Sequence, residues 1–273
     1  MNKKMVFIGA LTALCFSLAG CGGGNAPGAN QGEGKTLKVG ATAVPHAEIL
    51  AEVKPILAKE GINLEIIEFS DYVQPNLALN DKELDANFFQ HKPYLENFVE
   101  EHKEVKLEDA AGIHIEPMGI YSKKVKELKD IKDGASIAVP NDPTNEGRAL
   151  LLLKKAGLLK LKEGVNEKAT PQDITENTKN IVLREVEAAQ VPRTLEDVDA
   201  AVINTNYAMQ IDLVPMKDAL FIEDSTSPYV NIIAVRVGDK DRPEIKSLIK
   251  AIKSDTIKSF ILEKYKGAVV PAF

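Results

Sequence analysis

At 273 residues, 44% hydrophobic and 27% charged, the chain carries enough apolar material for a packed core and too much charge for a polytopic membrane protein. A formal net charge of −6 argues against a broad nucleic-acid-binding surface. Both cysteines, Cys15 and Cys21, fall in the first 21 residues, so the chain beyond them has neither a disulfide nor a cysteine-ligated metal and must be held by packing.

Met1 to Gly20 has the three parts of a secretory signal: Lys3 and Lys4, an apolar run from Met5 to Leu18, and small residues before Cys21. The run is short of the roughly 20 residues that a transmembrane helix needs. Leu18-Ala19-Gly20-Cys21 resembles the bacterial lipobox, whose cysteine is lipidated and becomes the mature N-terminus. Removing residues 1–20 leaves 32 basic and 40 acidic residues. Gly22 to Lys35, with six glycines in 14 residues, reads as a flexible tether. The expected layout is a soluble body held by acyl chains at the extracytoplasmic face of the cell membrane, on the periplasmic side where the host has two membranes.

From Thr36 onward short apolar runs alternate with amphipathic stretches. Leu37–Ala41 reads as a strand, Pro45–Lys59 as a helix, Asn63–Phe69 as a strand and Val73–Leu79 as a helix. Leu84–Phe88 is a short strand running into a helix at Lys92–Glu101. The pattern restarts after Gly112 with extended Ile113–Ile115 and Met118–Tyr121, a strand at Ser136–Val139, and a helix from Asn145 to Ala156 capped by Thr144 and ended by Gly157. Ile181–Leu183, Ala200–Ile203 and Tyr229–Val237 are further strands, and Asp241–Lys264 supplies two helices. Such alternation implies βαβ units and mainly parallel sheet. The restart implies two lobes, the second (120–215) inserted in the first (36–119 plus 216–273), with crossovers near 113–121 and 220–236.

Ligands in α/β sheets bind outside the carboxyl ends of strands, which directs attention to four sets of residues. Ser70-Asp71-Tyr72 offers an aromatic face with a polar tip, or simply a capped turn. Asn87-Phe88-Phe89-Gln90-His91-Lys92-Pro93-Tyr94 places three of the 15 aromatics within seven residues; they either enclose an apolar or thioether side chain beside His91 or form a core pair. In Pro140-Asn141-Asp142-Pro143-Thr144-Asn145-Glu146-Gly147-Arg148, a helix N-terminus and an arginine one turn along suit a carboxylate, or else make a capping turn with a surface charge. Asn204 to Tyr207 and Tyr229 to Asn231 put amides at strand ends, where their oxygens accept either from an ammonium group or from their own turns.

Signals for catalysis are weak. The chain has no G-x-S-x-G elbow, no G-x-x-x-x-G-K-[ST] phosphate loop and no H-E-x-x-H. Glu185 and Glu187 share a strand face that reads as solvated. His46, His91, His102 and His114 lack metal-ligand spacing. No enzyme, cofactor or metal is expected.

Taken together, Cys21 after Leu-Ala-Gly, Ser70-Asp71-Tyr72, Asn87 to Tyr94, Pro140 to Arg148, Val202 to Thr205, Ser227 to Asn231 and the closing Gly267-Ala268-Val269 resemble the NlpA/MetQ-type lipoproteins, the methionine-binding components of bacterial ABC importers. The resemblance covers essentially the whole body from Leu37. It implies a two-lobed α/β periplasmic-binding-protein fold, each lobe a mainly parallel sheet flanked by helices, that captures L-methionine and delivers it to a permease with its ATPase. By the same resemblance Tyr72, Phe89, His91 and Tyr94 line the side-chain pocket, with Phe88 a further candidate because some relatives carry a small residue there. Arg148 holds the carboxylate, and Asn204 and Asn231 contact the amino-acid backbone. D-methionine, a methionine-containing dipeptide, another small amino-acid-like ligand, or a surface adhesion role are the alternatives.

Overall fold

β1 (Lys35–Thr42) pairs in parallel with β2 (Ile62–Phe69) along its whole length, from Lys35 against Ile62 to Thr42 against Phe69. The helix between them, α1 (Glu48–Lys59), closes a βαβ unit. The computed structural model describes residues 35–224 and 226–273. The signal segment, the lipobox with Cys21 and all of the expected tether but its last residue lie outside them. Lys35 itself belongs to β1 rather than to a tether, and its Nζ lies 2.5 Å from Glu244 Oε1.

The chain continues through α2 (Gln74–Asn80), β3 (Ala86–His91), α3 (Lys92–Glu101) and β4 (Leu107–Ile115), then enters a second sheet with β5 (Gly119–Tyr121) and β6 (Ser136–Pro140). α4 (Pro143–Lys155) leads to the small β7–β8 ribbon (Lys160–Leu161 and Ile174–Glu176), then to β9 (Val182–Val186) and β10 (Ala200–Ile203). α5 (Thr205–Gln210), α6 (Pro215–Asp218) and β11 (Phe221–Ile222) precede the return through β12 (Val230–Arg236), α7 (Pro243–Ile252), α8 (Asp255–Tyr265) and β13 (Val270–Pro271).

The first sheet has the order β13-β4-β12-β3-β1-β2 and the second β11-β5-β10-β6-β9. Parallel pairing is confined to β2-β1-β3 and β10-β6-β9. β4, β5, β11, β12 and β13 add antiparallel pairs, because strands that carry the chain between lobes, or return it, run against their neighbours. The sheets are therefore mixed, parallel only where βαβ units build them. Strand pairing puts Gly119 and Phe221–Ile222 in the second sheet, so the chain crosses at 116–118 and 223–229; the first crossing lies beside the expected boundary at 119/120, whereas the second lies well beyond the expected 215/216, because Phe221 and Ile222 pair with β5.

Each sheet buries both faces. Leu37, Val39 and Phe88 pack under α1, α7 and α8, while Phe89, Ile232 and Ala234 pack under α2 and α3. Ile137, Val139 and Val202 lie against α4, with Ala138, Ala201 and Ile203 on the opposite side. The two-residue period of a strand thus sends the neighbours Phe88 and Phe89 to different cores.

Two helix ends differ in detail from the sequence expectation. α4 starts at Pro143 and its cap is Asp142, which accepts from the Asn145 N–H at 3.0 Å, while Thr144 donates its hydroxyl to the same carboxylate. A carboxylate accepts more bonds than a hydroxyl and proline suits the first helical position, so Asp142-Pro143 outcompetes Thr144 as the start. β3 extends to His91, where the histidine ring itself caps α3 by accepting from the Tyr94 N–H at 3.1 Å.

Candidate ligand-binding site

The carboxyl ends of β3 and β10, the N-terminus of α4, the first crossover and the start of β12 converge on one cavity of about 330 Å³, its mouth included. Tyr72, Phe89, His91, Tyr94, Arg148, Asn204 and Asn231 all line it, together with Gln90, Glu116, Asn145, Thr205 and Asn206. Phe88 does not. Its ring is fully buried behind β3, edge-on to His46 at 4.6 Å and to His114 at 5.2 Å between centroids.

Aromatic rings build one wall. Tyr72 packs against Phe89 and Tyr94 with centroids 5.8 and 5.7 Å away, and stacks on Tyr207 of the other lobe at 4.9 Å. Its hydroxyl donates to Asn206 Oδ1 at 2.6 Å, and Tyr207 donates to the Ser70 carbonyl at 3.2 Å. Ser70-Asp71-Tyr72 therefore ties the two lobes together. Asp71 makes the turn by accepting from the backbone N–H groups of Val73 and Gln74, both at 2.8 Å.

A buried polar chain forms the facing wall, and its directions can be worked out from one end. Asp142 accepts from Asn145 Nδ2 at 3.0 Å, so Asn145 must present its Oδ1 to the cavity side. That oxygen accepts from His91 Nε2 at 3.2 Å and from Asn204 Nδ2 at 2.8 Å. His91 Nδ1 already accepts from Tyr94, so the ring is neutral with its proton on Nε2. Burial and the nearby Arg148 push the His91 pKa down to about 3. With its Nδ2 committed, Asn204 has a buried Oδ1 without a partner among the described residues, and Asn206 Nδ2 is likewise unpaired. Unpaired buried amide atoms are costly and call for an occupant.

Arg148 is 3% exposed. Its Nε and Nη2 engage the Glu223 carboxylate, at 3.0 Å from Oε1 and 2.5 Å from Oε2, and Nη2 also donates to the Glu116 carbonyl at 2.7 Å. The guanidinium lies 4.3 Å from the Tyr229 ring centroid. One arginine thus clasps both crossovers and keeps Nη1 outside these bonds. Gly147 precedes it because a Cβ there would come within 2.2 Å of the Glu167 carbonyl, so only glycine lets α4 lie this close to the loop beneath it.

Behind this wall, sequence spacing gave no sign of a further cluster. His46 Nε2, His114 Nε2 and Glu116 Oε1 gather within 4.8 Å of one another and are all buried. His114 Nε2 lies 2.7 Å from Glu116 Oε1; His46 Nε2 lies 3.2 Å from it and 3.1 Å from Asn231 Oδ1. Facing only acceptors, each Nε2 carries a proton, and His46 Nδ1 accepts from the Thr42 hydroxyl at 2.7 Å. Burial pushes the pKa of His46 down to about 4 and of His114 to about 3, and raises that of Glu116. Asn231 Oδ1 is therefore already engaged. Asn145 and Asn206 sat within segments singled out from the sequence, whereas Glu116 had only its position in a crossover to mark it.

The description "NlpA lipoprotein" belongs to the family model that matches residues 37–273. The methionine-binding lipoprotein MetQ of Bacillus subtilis (strain 168) is 46% identical over 274 residues, covering 98% of each chain. The D-methionine-binding lipoprotein MetQ of Salmonella typhi is 43% identical, covering 98% of this chain and 97% of its own. Among solved structures, a nutrient binding protein from Burkholderia cenocepacia bound to methionine is 51% identical with a TM-score of 0.84, covering 87% of this chain and all of its own. The fold is accordingly the two-lobed α/β architecture of extracytoplasmic substrate-binding proteins, and the chain belongs to the NlpA lipoprotein family.

Proposed function

We propose that this chain is a lipid-anchored, extracytoplasmic substrate-binding lipoprotein that captures L-methionine between its lobes and delivers it to an ABC permease and its ATPase. The observation that carries the reading is the pairing of opposite needs in one cavity. Tyr72, Phe89 and Tyr94 make an aromatic wall, and across from it Asn204 Oδ1, Asn206 Nδ2 and Arg148 stand ready for an amino acid's charged end. A thioether suits such a wall, since sulfur–aromatic contacts contribute about 0.3–1.5 kcal/mol each and demand no hydrogen bond. Buried carboxylate and ammonium groups need fixed partners, which Arg148 Nη1 and the Asn204 oxygen would supply. Asn231 would act through the hinge, fixed by His46.

The name of the Salmonella relative motivates D-methionine as a second ligand. Thermal unfolding of ligand-stripped protein against the amino acids, both methionine enantiomers and methionine dipeptides tests this. A ligand at 1,000 times its dissociation constant adds about 4 kcal/mol, or roughly 8–16 °C for a body of this size. A shift confined to methionine compounds is expected. No shift with any of them from folded protein would overturn the assignment.

A further inference from the structure

Charge is left over at the cavity after the named partners are matched. Arg148 is balanced by Glu223. Glu116 is 5% exposed, lines the same cavity, and has no Lys or Arg nitrogen within ion-pair distance among the described residues; its two neighbours there are the imidazoles of His46 and His114. Both rings are neutral; His114 directs its Nε2–H at Oε1 at 2.7 Å, while the His46 Nε2–H bonds Asn231 Oδ1 and that nitrogen lies 3.2 Å from Oε1. A donor on the carboxyl group favours the ionised form, while burial without a counter-cation opposes it. A cation entering the cavity resolves that conflict.

The unpaired Asn204 Oδ1 lines the same space and accepts only. A carboxylate and a bare amide oxygen are what an ammonium group with three N–H donors requires, and neither suits a hydroxyl as well. We propose that Glu116 is the counter-ion of the ligand's ammonium group, with His46 and His114 as positioning residues that hold its carboxylate in place. This rests on the reading of the ligand as an α-amino acid. It divides the site by charge: Arg148 takes the carboxylate, and Glu116 with Asn204 takes the amine. His46 donates to Asn231 in β12, just past the second crossover, so the ring beside the carboxylate that reads the amine is bonded to the strand that leaves that crossover.

The test titrates full-length protein in detergent, stripped of ligand, with L-methionine and with its hydroxy analogue, in which a hydroxyl replaces the ammonium. Wild type is expected to prefer the amine by roughly 100-fold or more. Glu116→Gln, nearly isosteric, is expected to lose about 100-fold in methionine affinity and to bind the two compounds within about fivefold of each other. His114→Leu keeps the carboxylate but removes one donor, and is expected to narrow the preference by about tenfold. Methionine binding by Glu116→Gln within about threefold of wild type, or an undiminished preference for the amine, would overturn the assignment. Should Glu116→Gln fail to fold, equal affinity of wild type for the two compounds would overturn it unaided. Folded wild type that binds no amino acid would instead bring down the ligand reading, and the inference with it. An unchanged preference in His114→Leu would remove the positioning role.

Discussion

The Arg148 guanidinium and the Glu223 carboxylate form a two-point ion pair, Nε to Oε1 at 3.0 Å and Nη2 to Oε2 at 2.5 Å. The arginine is 3% and the glutamate 14% exposed at the side chain. The residue expected to bind a ligand carboxylate therefore also clamps the second crossover, and through the Glu116 carbonyl the first. A role confined to the ligand carboxylate predicts that Arg148→Ala loses ligand and keeps its fold. The geometry predicts more. Breaking a buried pair by removing one partner costs about 3–5 kcal/mol. Thermal unfolding without ligand should fall by roughly 6–20 °C alongside lost methionine binding. An unchanged midpoint would show that the clamp contributes nothing to the fold.

Phe88 and Phe89 are neighbours with different duties. Phe88 is fully buried among residues of the α1 face, and Phe89 lines the cavity. Phe88→Ala should lower unfolding free energy by about 3–5 kcal/mol, while ligand affinity of the folded fraction changes by less than about threefold. Phe89→Leu keeps an apolar side chain and should cost affinity about tenfold with a smaller loss of stability. Urea unfolding and calorimetric titration of both variants separate the two effects. A reversed pattern would mean that the strand faces are assigned the wrong way round.

Stability should fall in mild acid. His46, His91 and His114 are buried and neutral, with pKa values pushed down to about 4, 3 and 3, whereas unfolded histidine titrates near 6.5. Between those values the unfolded chain binds more protons, so unfolding becomes easier as pH drops below about 6.5. At pH 5 the loss is about 2 kcal/mol for each histidine. Glu116 acts in the opposite sense, because its raised pKa lets the folded chain hold a proton in part of that range. Urea unfolding at pH 7.5 and pH 5.0 should show a net drop of several kcal/mol. Equal stabilities would place these rings in contact with water.

Much of the site could be read in advance because its parts lie at strand ends within short segments. The seven expected contacts reach one cavity from five segments up to 159 residues apart, Tyr72 to Asn231. What could not be read depends on pairing across the fold. Glu223 as the partner of Arg148, and Glu116 meeting His46 and His114, join residues 75, 70 and 2 positions apart. No local period marks the two long-range contacts. Strand boundaries moved by one to several residues, and the two-stranded ribbon at Lys160–Leu161 and Ile174–Glu176 escaped notice because two or three residues carry no alternation. Phe88 drew attention by its size, yet the strand period turns it from the cavity.

The structure of the protein crystallised with L-methionine tests the central claim most directly. The account predicts one methionine per chain between the lobes, its thioether among Tyr72, Phe89 and Tyr94, its carboxylate on Arg148 and its ammonium within hydrogen-bond reach of Asn204 Oδ1. Methionine bound elsewhere, or in the same cavity with its charged end against the aromatic wall, would contradict it.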